Sequence, residues 1–453
     1  TFFSVSDDKK TQPRNDLELR ATYAPVVEDA APAVVNIYTK RVVTQRMRSV
    51  FDDPFFRDFF GGVPQSRSRQ RVESSLGSGV IVDPEGIVVT NNHVVENAGA
   101  IKVVLADRRE FEAEVILTDP QTDLAILRIE AEGTLPHLTF ADSDAAAVGD
   151  IVLAIGNPFG VGQTVTSGIV SALSRTAASI SDFQFFIQTD AAINPGNSGG
   201  ALVDVDGKLL GVNTAIYSRS GGSNGIGFAI PGNLVSQVVA SAVGGQDMVR
   251  RPWLGVQGSK VDASLAAAVG LDRPIGAIIG EVFPRGPADR AGLKEGDVVL
   301  QIGGQDVFEA EALRFRAATR PVGERLPVKI LRDGKERTLN VKLDYPPETP
   351  KRNETKLEGQ HVLFGVTVAN LSPALADELG RSPMSEGVVI MAVQRGSLAT
   401  RYRLRRGQTI LSVNGEEVER VKDLERVLQE PTRRFVLRIA DANGRVSTLQ
   451  IGR

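Results

Sequence analysis

The run Val80-Ile81-Val82-Asp83-Pro84-Glu85-Gly86-Ile87-Val88-Val89-Thr90 places four turn-forming residues between two short apolar segments. This pattern predicts two strands joined by a tight turn. Segments of strand length follow at residues 101–105, 111–117, 124–129, 151–155, 164–173, 185–189, 209–216 and 226–230. So many short strands indicate an all-β barrel or sandwich. One closing helix is predicted over residues 233–243, because it starts at an Asn and stops before two glycines.

The composition of the whole chain limits the classes of function. At 453 residues, 42% of them apolar and 24% charged, the chain is expected to be globular, with about three domains. The absence of cysteine excludes disulfides, zinc–thiolate sites, iron–sulfur clusters and a cysteine nucleophile. A net charge of −3 does not favour nucleic acid as a partner. No apolar run reaches the length of a membrane span, so we expect no integral membrane segment.

An internal repeat occupies the C-terminal part of the chain. Leu254-Gly255-Val256 recurs as Phe364-Gly365-Val366, and Gly296-Asp297-Val298-Val299 recurs as Gly407-Gln408-Thr409-Ile410. A helical segment follows in each copy, near residues 308–320 and 419–430. The sequence therefore predicts a domain over residues 1–245, a first repeat over 250–344, a stiff Pro-containing linker over 345–359 and a second repeat over 360–453.

The segment Asn194-Pro195-Gly196-Asn197-Ser198-Gly199-Gly200 carries the strongest chemical signal. Glycines beside a serine let backbone N–H groups approach a substrate carbonyl, as a serine nucleophile requires. A purely structural Gly-rich turn is the alternative. The α/β-hydrolase elbow does not fit, because a strand follows Ser198 and the only downstream histidine, His361, lies in the second repeat.

The other arrangement of a nucleophilic serine places His, Asp and Ser in that order along the chain. His93, at the end of a strand, is preferred to His137, which follows Pro136 in a polar connection. Asp119 and Asp123 are both candidates for the carboxylate. Asp119 precedes Pro120 and is typical of a turn. Asp123 begins an apolar strand that can draw its carboxylate inward, so we prefer Asp123.

Three motifs together resemble those of the HtrA (Deg) family of serine proteases: Thr90-Asn91-Asn92-His93-Val94-Val95, Thr122-Asp123-Leu124-Ala125 and the segment around Ser198. The two repeats resemble the PDZ domains of that family. The chain is most similar to the bacterial periplasmic DegP/DegQ branch, and more to its DegQ type. The resemblance implies a mainly β chain: a chymotrypsin-like double β-barrel protease domain followed by two PDZ domains. The remaining sequence motifs predict no cofactor and no metal.

The resemblance also assigns roles to single residues. It makes Ser198 the nucleophile, His93 the general base and acid, and Asp123 the group that orients the imidazole. Backbone N–H groups of Gly196 and Ser198, with Asn197, are expected to form the oxyanion hole. The expected substrate-binding residues are Ile193, Asn213, Thr214, Ala215 and Ile216, and their lack of acidic groups favours an apolar P1 residue. Arg175 matches a regulatory arginine, although a solvated loop arginine is an equal alternative. The peptide-binding loop of the first repeat is expected at Trp253, Leu254, Gly255 and Val256.

The resemblance finally implies a biological setting. We expect an ATP-independent endopeptidase that degrades unfolded proteins in the periplasm, after removal of a signal peptide, with accompanying chaperone activity. Homotrimers that associate into hexamers or larger cages are expected. The alternative function is a chaperone or binding scaffold in which the PDZ domains capture peptides. The aromatic cluster at Phe51, Phe55, Phe56, Phe59 and Phe60 is either a short amphipathic helix or a flap that docks on another subunit.

Overall fold

The computed structural model describes residues 22–46, 68–157, 162–175, 185–194, 196–216, 224–359, 361–430, 434–441 and 444–452. The aromatic cluster that begins at Phe51 lies outside these ranges. The chain divides into two compact units, Thr1–Met248 and Val249–Arg453. No helix within the described ranges has the length and apolar character needed to cross a membrane.

The described part of the first unit contains a helix, a 3-10 turn and a closed antiparallel barrel of six strands. The barrel order is β1-β2-β3-β6-β5-β4, and β4 pairs back with β1. The elements are α1 (Ala24–Ala30), the 3-10 turn (Ala31–Ala33), β1 (Val34–Arg46), β2 (Ser68–Asp83), β3 (Ile87–Asn91), α2 (Asn92–Val95), β4 (Ala100–Val104), β5 (Glu110–Asp119) and β6 (Leu124–Ile129). The strands predicted around residues 80–90 are β2 and β3.

The turn between β2 and β3 shows why this stretch forms a hairpin. The Asp83 carboxylate accepts a hydrogen bond of 2.7 Å from the Glu85 N–H. Gly86 has a φ of +101°, and a Cβ there would overlap the Ile129 carbonyl oxygen. Only glycine combines this conformation with so close an approach. All five residues of β3 are buried, so the hairpin forms part of the barrel core.

The second barrel of the first unit also has six strands and the order β10-β11-β12-β9-β8-β7. Its elements are β7 (Ile151–Gly156), β8 (Thr164–Arg175), β9 (Phe186–Thr189), β10 (Ala201–Val203), β11 (Leu209–Ile216), β12 (Gly227–Pro231) and the closing helix α3 (Gly232–Val243). Two closed barrels confirm the double-barrel expectation, and α3 begins one residue before the predicted helix.

A buried apolar cluster joins the two barrels. It combines Val34 and Val80 of the first barrel with Leu153, Ile155 and Leu209 of the second. Each barrel also has its own buried core. Close-packed interiors have low compressibility. The packing along this junction therefore fixes the distances between side chains that come from different barrels.

The second unit contains two antiparallel sheets that correspond to the two repeats. The elements of the first repeat are β13 (Val256–Lys260), α4 (Ala263–Val269), β14 (Ala277–Val282), α5 (Pro287–Ala291), β15 (Val298–Ile302), β16 (Gln305–Asp306), α6 (Glu311–Ala318), β17 (Arg325–Arg332) and β18 (Lys335–Lys342). Those of the second are β19 (Thr355–Lys356), β20 (Val366–Asn370), α7 (Pro373–Glu378), β21 (Val388–Val393), α8 (Leu398–Arg401), β22 (Thr409–Val413), β23 (Glu416–Glu417), α9 (Val421–Leu428), β24 (Arg434–Ala440) and β25 (Val446–Gly452).

The two sheets differ at one edge. The sheet of the first repeat begins with β13, whereas that of the second begins with β19 and then continues to β20, the counterpart of β13. Strand β19 lies within residues 345–359, the segment predicted as a linker. Part of that segment is therefore a strand of the second repeat's sheet.

Candidate active site

His93 and Asp123 meet at the end of the first barrel. His93 lies in α2, the single helical turn that follows β3, and Asp123 directly precedes β6. The Asp123 carboxylate contacts His93 twice: Oδ2 lies 2.7 Å from the ring atom Nδ1, and Oδ1 accepts a 3.0 Å hydrogen bond from the backbone N–H. The aspartate therefore fixes both the position and the rotation of the imidazole.

The backbone of Asp123 is itself held in an uncommon conformation. Its φ is +59°, a region that Asp tolerates better than most residues. Its carbonyl oxygen accepts hydrogen bonds of 3.0 Å from the Asn92 N–H and 3.0 Å from the buried Asn91 amide. The first of these bonds also begins the helical turn α2. Asn91 thus positions the carboxylate, a role that the motif alone did not reveal.

The alternative carboxylate, Asp119, has a different environment. It is 5% exposed at the end of β5, and it accepts a hydrogen bond from the Thr122 hydroxyl. This contact closes the turn between β5 and β6. The carboxylate that contacts the imidazole is therefore that of Asp123, whereas the Asp119 carboxylate stabilises the turn between β5 and β6.

Thr214 connects the Asp123 carboxylate with Ser198. Its hydroxyl donates a 2.8 Å hydrogen bond to Asp123 Oδ2. Its backbone carbonyl accepts a 3.2 Å hydrogen bond from the Ser198 hydroxyl. Within the described ranges, no hydrogen bond joins Ser198 Oγ directly to His93. The imidazole, with a side chain 50% exposed, remains open to solvent on the side away from Asp123. Apo enzymes commonly show such loose catalytic contacts, which tighten when substrate binds.

The turn around Ser198 presents two backbone N–H groups. The Asn197 N–H donates to the Asn194 carbonyl over 3.0 Å, and the Gly200 N–H donates to the Asn197 carbonyl over 2.9 Å. In the described part of the chain, the N–H groups of Gly196 and Ser198 have no acceptor. These two are therefore available for an oxyanion, whereas the Asn197 N–H is already used within the turn.

Ser78, a residue of the first barrel, holds this turn in place through hydrogen bonds to its backbone. Its hydroxyl donates a 2.6 Å hydrogen bond to the Gly196 carbonyl and accepts one of 2.9 Å from the Asn157 N–H. Its own N–H donates to the Ser198 carbonyl over 2.9 Å. The peptide unit between Gly196 and Asn197 is thus held at both ends, and it separates the two available N–H groups. Sequence reasoning missed Ser78, because its partners are about 80 and 120 residues away along the chain.

The glycine after Ser198 lets this turn lie directly against the backbone of Ser78. Gly199 has a φ of +84°, and a Cβ there would overlap the Ser78 carbonyl oxygen. That oxygen already accepts a 2.7 Å hydrogen bond from the Thr90 hydroxyl. Ser78 therefore contacts both motifs, the one around Ser198 through Gly199 and the one around His93 through Thr90.

The residues expected around the specificity pocket lie along the same turn and on β11. Ile193 is buried, and a Cβ on Gly227 would come within 2.7 Å of its Cδ1 atom. The amide of the buried Asn213 donates to the Ala201 carbonyl over 2.9 Å, which holds β11 against β10. Ala215 and Ile216 belong to β11, and Arg175 ends β8. The side chains of these last three residues lie outside the described part of the structure.

The loop of the first repeat has available donors of its own. Gly255 has a φ of +76°, and its carbonyl accepts a 2.8 Å hydrogen bond from the Phe283 N–H. The Leu254 carbonyl accepts one of 2.9 Å from the Ala288 N–H, while β13 begins at Val256. Among the residues that the structure describes, the Leu254 and Gly255 N–H groups have no acceptor. The Trp253 ring packs on Phe283 with centroids 5.2 Å apart and supports this loop.

The Asp297 position differs between the repeats, as the sequence showed. In the first repeat, the buried Asp297 carboxylate pairs with Arg332 over 2.5 and 2.6 Å, and these hydrogen bonds raise the pKa of that guanidinium. Its counterpart Gln408 accepts a hydrogen bond of 2.9 Å from the Arg405 N–H, as Asp297 does from Lys294. The substitution therefore keeps the turn and removes the charge.

Family comparisons agree with this architecture. A model described as a trypsin-like peptidase domain matches residues 77–212, which contain His93, Asp123 and Ser198. Two PDZ-domain models match residues 252–343 and 389–441. The matches fall within the double barrel and within each of the two repeats.

Similar proteins extend over nearly the whole chain. A probable periplasmic serine endoprotease DegP-like from Chlamydia pneumoniae is 40% identical over 93% of this chain and 87% of its own length. The periplasmic serine endoprotease DegP of Salmonella typhimurium is 39% identical over 89% of this chain and 86% of its own. A solved structure of the HtrA-type protease AlgW with a decapeptide is 45% identical, covers 72% of this chain and 99% of its own, and has a TM-score of 0.51. The chain belongs to the HtrA/DegP family of periplasmic serine endoproteases.

Proposed function

We propose that Ser198, His93 and Asp123 carry out peptide-bond hydrolysis through an acyl-enzyme. Ser198 Oγ bonds to the scissile carbonyl carbon while His93 Nε2 takes the hydroxyl proton. The carbonyl oxygen becomes an oxyanion, which accepts hydrogen bonds from the Gly196 and Ser198 N–H groups. His93 then gives its proton to the leaving amine as the C–N bond breaks. Water, deprotonated by His93, releases the acyl group and regenerates Ser198.

One observation carries this proposal. Asp123 contacts His93 at Nδ1, 2.7 Å away, and this leaves Nε2 as the ring atom that can exchange a proton with Ser198. In that arrangement the carboxylate stabilises the imidazolium that forms during attack. The N–H groups of Gly196 and Ser198, which have no acceptor among the described residues, support the same chemistry independently.

The substrates follow from the site and from the first repeat. The buried Ile193 and the absence of acidic groups at residues 213–216 favour an apolar P1 residue. The N–H groups of Leu254 and Gly255, without an acceptor in the part of the chain that the structure describes, suit the terminal carboxylate of an extended peptide. Unfolded proteins expose both apolar residues and chain ends. Since the relatives from Chlamydia pneumoniae and Salmonella typhimurium are named periplasmic endoproteases, we place this activity in the periplasm.

Assembly and chaperone activity rest on family membership. We infer that the chain forms homotrimers that associate further into hexamers or larger cages, and that it also protects unfolded proteins from aggregation. Light scattering after size exclusion, with and without reduced α-lactalbumin, tests the assembly. The DegQ type within the family stays a prediction, as does the regulatory role of Arg175.

The experiment for the proteolytic assignment is labelling with a fluorophosphonate, followed by peptide mapping and by casein digestion. We expect one labelled residue, Ser198, and loss of casein digestion in proportion to labelling. Label on another serine, or full digestion by fully labelled protein, would contradict the assignment. A chain that neither labels nor digests casein but suppresses aggregation would favour the scaffold function.

A further inference from the structure

Strand β19 covers the sheet edge that is open in the first repeat. It pairs antiparallel with β20, with Thr355 opposite Val368 and Lys356 opposite Thr367. Its counterpart edge in the first repeat, on β13, is the end of the sheet. An extended peptide recognised by strand addition would have to join the sheet at this same edge. The second repeat therefore carries a segment of its own chain where a peptide would lie.

Both loop donors of the second repeat are occupied, and one of them, the Gly365 N–H, is occupied by that segment. The Gly365 N–H donates to the Leu357 carbonyl over 3.0 Å, and the Leu357 N–H donates to the Val366 carbonyl over 2.8 Å. The Phe364 N–H donates to the His361 carbonyl over 3.2 Å. The corresponding N–H groups at Leu254 and Gly255 have no acceptor within the described ranges. A main-chain oxygen of Leu357 thus takes the donor that a terminal carboxylate would use.

The side chain of Leu357 completes the likeness to a peptide ligand. It is only 3% exposed and belongs to the same buried apolar cluster as Val366, Val368 and Leu424. Val366 and Val368 lie on β20, and Leu424 lies on α9. Residues 355–357, called the strap below, therefore show the three features of a bound C-terminal peptide: an antiparallel ladder, an oxygen on the loop N–H and a buried apolar last residue.

The chain before the strap is anchored to the second repeat as well. The Arg352 carbonyl accepts a 2.6 Å hydrogen bond from the Asn370 N–H, and the Lys351 carbonyl accepts one of 2.8 Å from the Asn370 side chain. The Arg352 guanidinium pairs with Glu348 over 2.7 Å and with Glu378 on α7. Because these contacts anchor the chain just before the strap, we expect the strap to stay close to its groove when it is released.

We propose that the second repeat is a peptide-binding site closed by its own strap, and that an extended peptide with an apolar C-terminal residue binds there only by displacing residues 355–357. A tethered ligand acts at an effective concentration on the order of millimolar, so micromolar peptide does not compete with it. In the resting chain, peptides bind the first repeat alone. The inference does not rest on proteolysis, because it is tested in a chain without the nucleophile.

The test uses the full chain carrying Ser198→Ala and a fluorescein-labelled peptide with the sequence of residues 352–357 and a free carboxyl terminus. Leu357→Asp removes the apolar anchor of the strap. We expect this variant to bind one more equivalent of peptide per chain than the Ser198→Ala parent, and the amidated peptide to lose that extra binding. The matched control is Lys356→Ala, which changes an exposed side chain of the strap and is expected to bind as the parent does.

A second variant pair keeps the test decisive if Leu357→Asp unfolds the repeat. The chain has no cysteine, so Lys356→Cys with Thr367→Cys gives one possible intrachain disulfide across a directly paired position. We expect this disulfide to form under mild oxidation. In a Leu357→Ala background, we expect reduction to add the extra peptide equivalent and oxidation to remove it.

Hydrogen exchange in β21 shows whether the repeat remains folded. Failure of the disulfide to form would overturn the proposal. So would equal stoichiometry in the parent and in the reduced, folded Leu357→Ala variant.

Discussion

The Thr214 hydroxyl donates a 2.8 Å hydrogen bond to Asp123 Oδ2, the same oxygen that lies 2.7 Å from His93 Nδ1. Asp123 comes from the first barrel and Thr214 from the second, so this bond ties the His93–Asp123 pair to the barrel that carries Ser198. The Thr214 carbonyl oxygen also accepts a hydrogen bond from the Ser198 hydroxyl. One residue of β11 therefore links the Asp123 carboxylate to the Ser198 hydroxyl.

Replacing Thr214 by valine removes the hydroxyl and keeps the shape. A hydrogen bond to a charged group contributes about 1.5–3 kcal/mol, so we expect kcat to fall roughly tenfold to a hundredfold. Thr214→Ser keeps a hydroxyl and is expected to restore most of the rate. Initial rates on a chromogenic peptide with an apolar P1 residue measure both variants. Equal rates for valine and serine would show that the hydroxyl does not position Asp123.

The choice between the two aspartates is tested by Asp123→Asn. We expect kcat to fall by about 10⁴-fold, because an amide stabilises the wrong tautomer of His93 and cannot stabilise an imidazolium. Asp119→Asn is the matched control: its amide oxygen still accepts from Thr122, so we expect kcat within about threefold of the parent. A large loss for Asp119→Asn together with a small one for Asp123→Asn would reverse the assignment.

Removing the Ser78 hydroxyl tests whether it positions the turn that carries the Gly196 and Ser198 N–H groups. Ser78→Ala leaves the Gly196 carbonyl and the Asn157 N–H without their partner, at a cost of about 1–3 kcal/mol. We expect this cost to appear as a roughly tenfold lower kcat with KM changed less than about twofold. The oxyanion forms in the transition state and not in the bound substrate, so the turn that binds it affects the rate more than substrate binding.

The control for Ser78→Ala is Ser143→Ala in the same unit. Ser143 is also buried, and its hydroxyl accepts a 3.1 Å hydrogen bond from the N–H of Asn233, a residue of α3, and not from a residue of the turn around Ser198. We expect similar destabilisation and unchanged kcat. Parallel losses of kcat in both variants would mean that Ser78 acts only through stability.

Burial lowers the pKa of the His361 imidazole below its ordinary value of about 6.5. Since the unfolded chain then binds the proton more readily, the contribution of this residue to stability is lost as the pH falls below about 6.5. We expect hydrogen exchange in β21 to show less protection at pH 5.5 than at pH 7.5, after correction for intrinsic rates. His361→Gln is expected to reduce this difference, and an unchanged difference would show that other groups cause it.

Sequence patterns predicted the parts of this molecule that depend on local chemistry. The strands appear as apolar runs between turn residues. The motifs at His93, Asp123 and Ser198 are conspicuous because a serine nucleophile and its partners would need particular residues beside them. The preference for Asp123 over Asp119 also came from local context, namely the apolar strand after Asp123.

Contacts made across the fold were not predictable in this way. The roles of Ser78 and Thr214 depend on the closure of two barrels against each other, and neither residue stands out from its neighbours. The strap was hidden for another reason. Thr355 and Lys356 form a strand of two residues in a polar segment, and only their pairing with β20 reveals it.

The central claim is that the Ser198 hydroxyl is the nucleophile, and casein turnover by Ser198→Ala tests it most directly. The account predicts a loss of kcat on the order of 10⁶-fold and no fluorophosphonate labelling, with the fold intact by circular dichroism. Ser143→Ala, tested beside it, should digest casein at the parent rate. Normal casein digestion by folded Ser198→Ala protein would contradict the account.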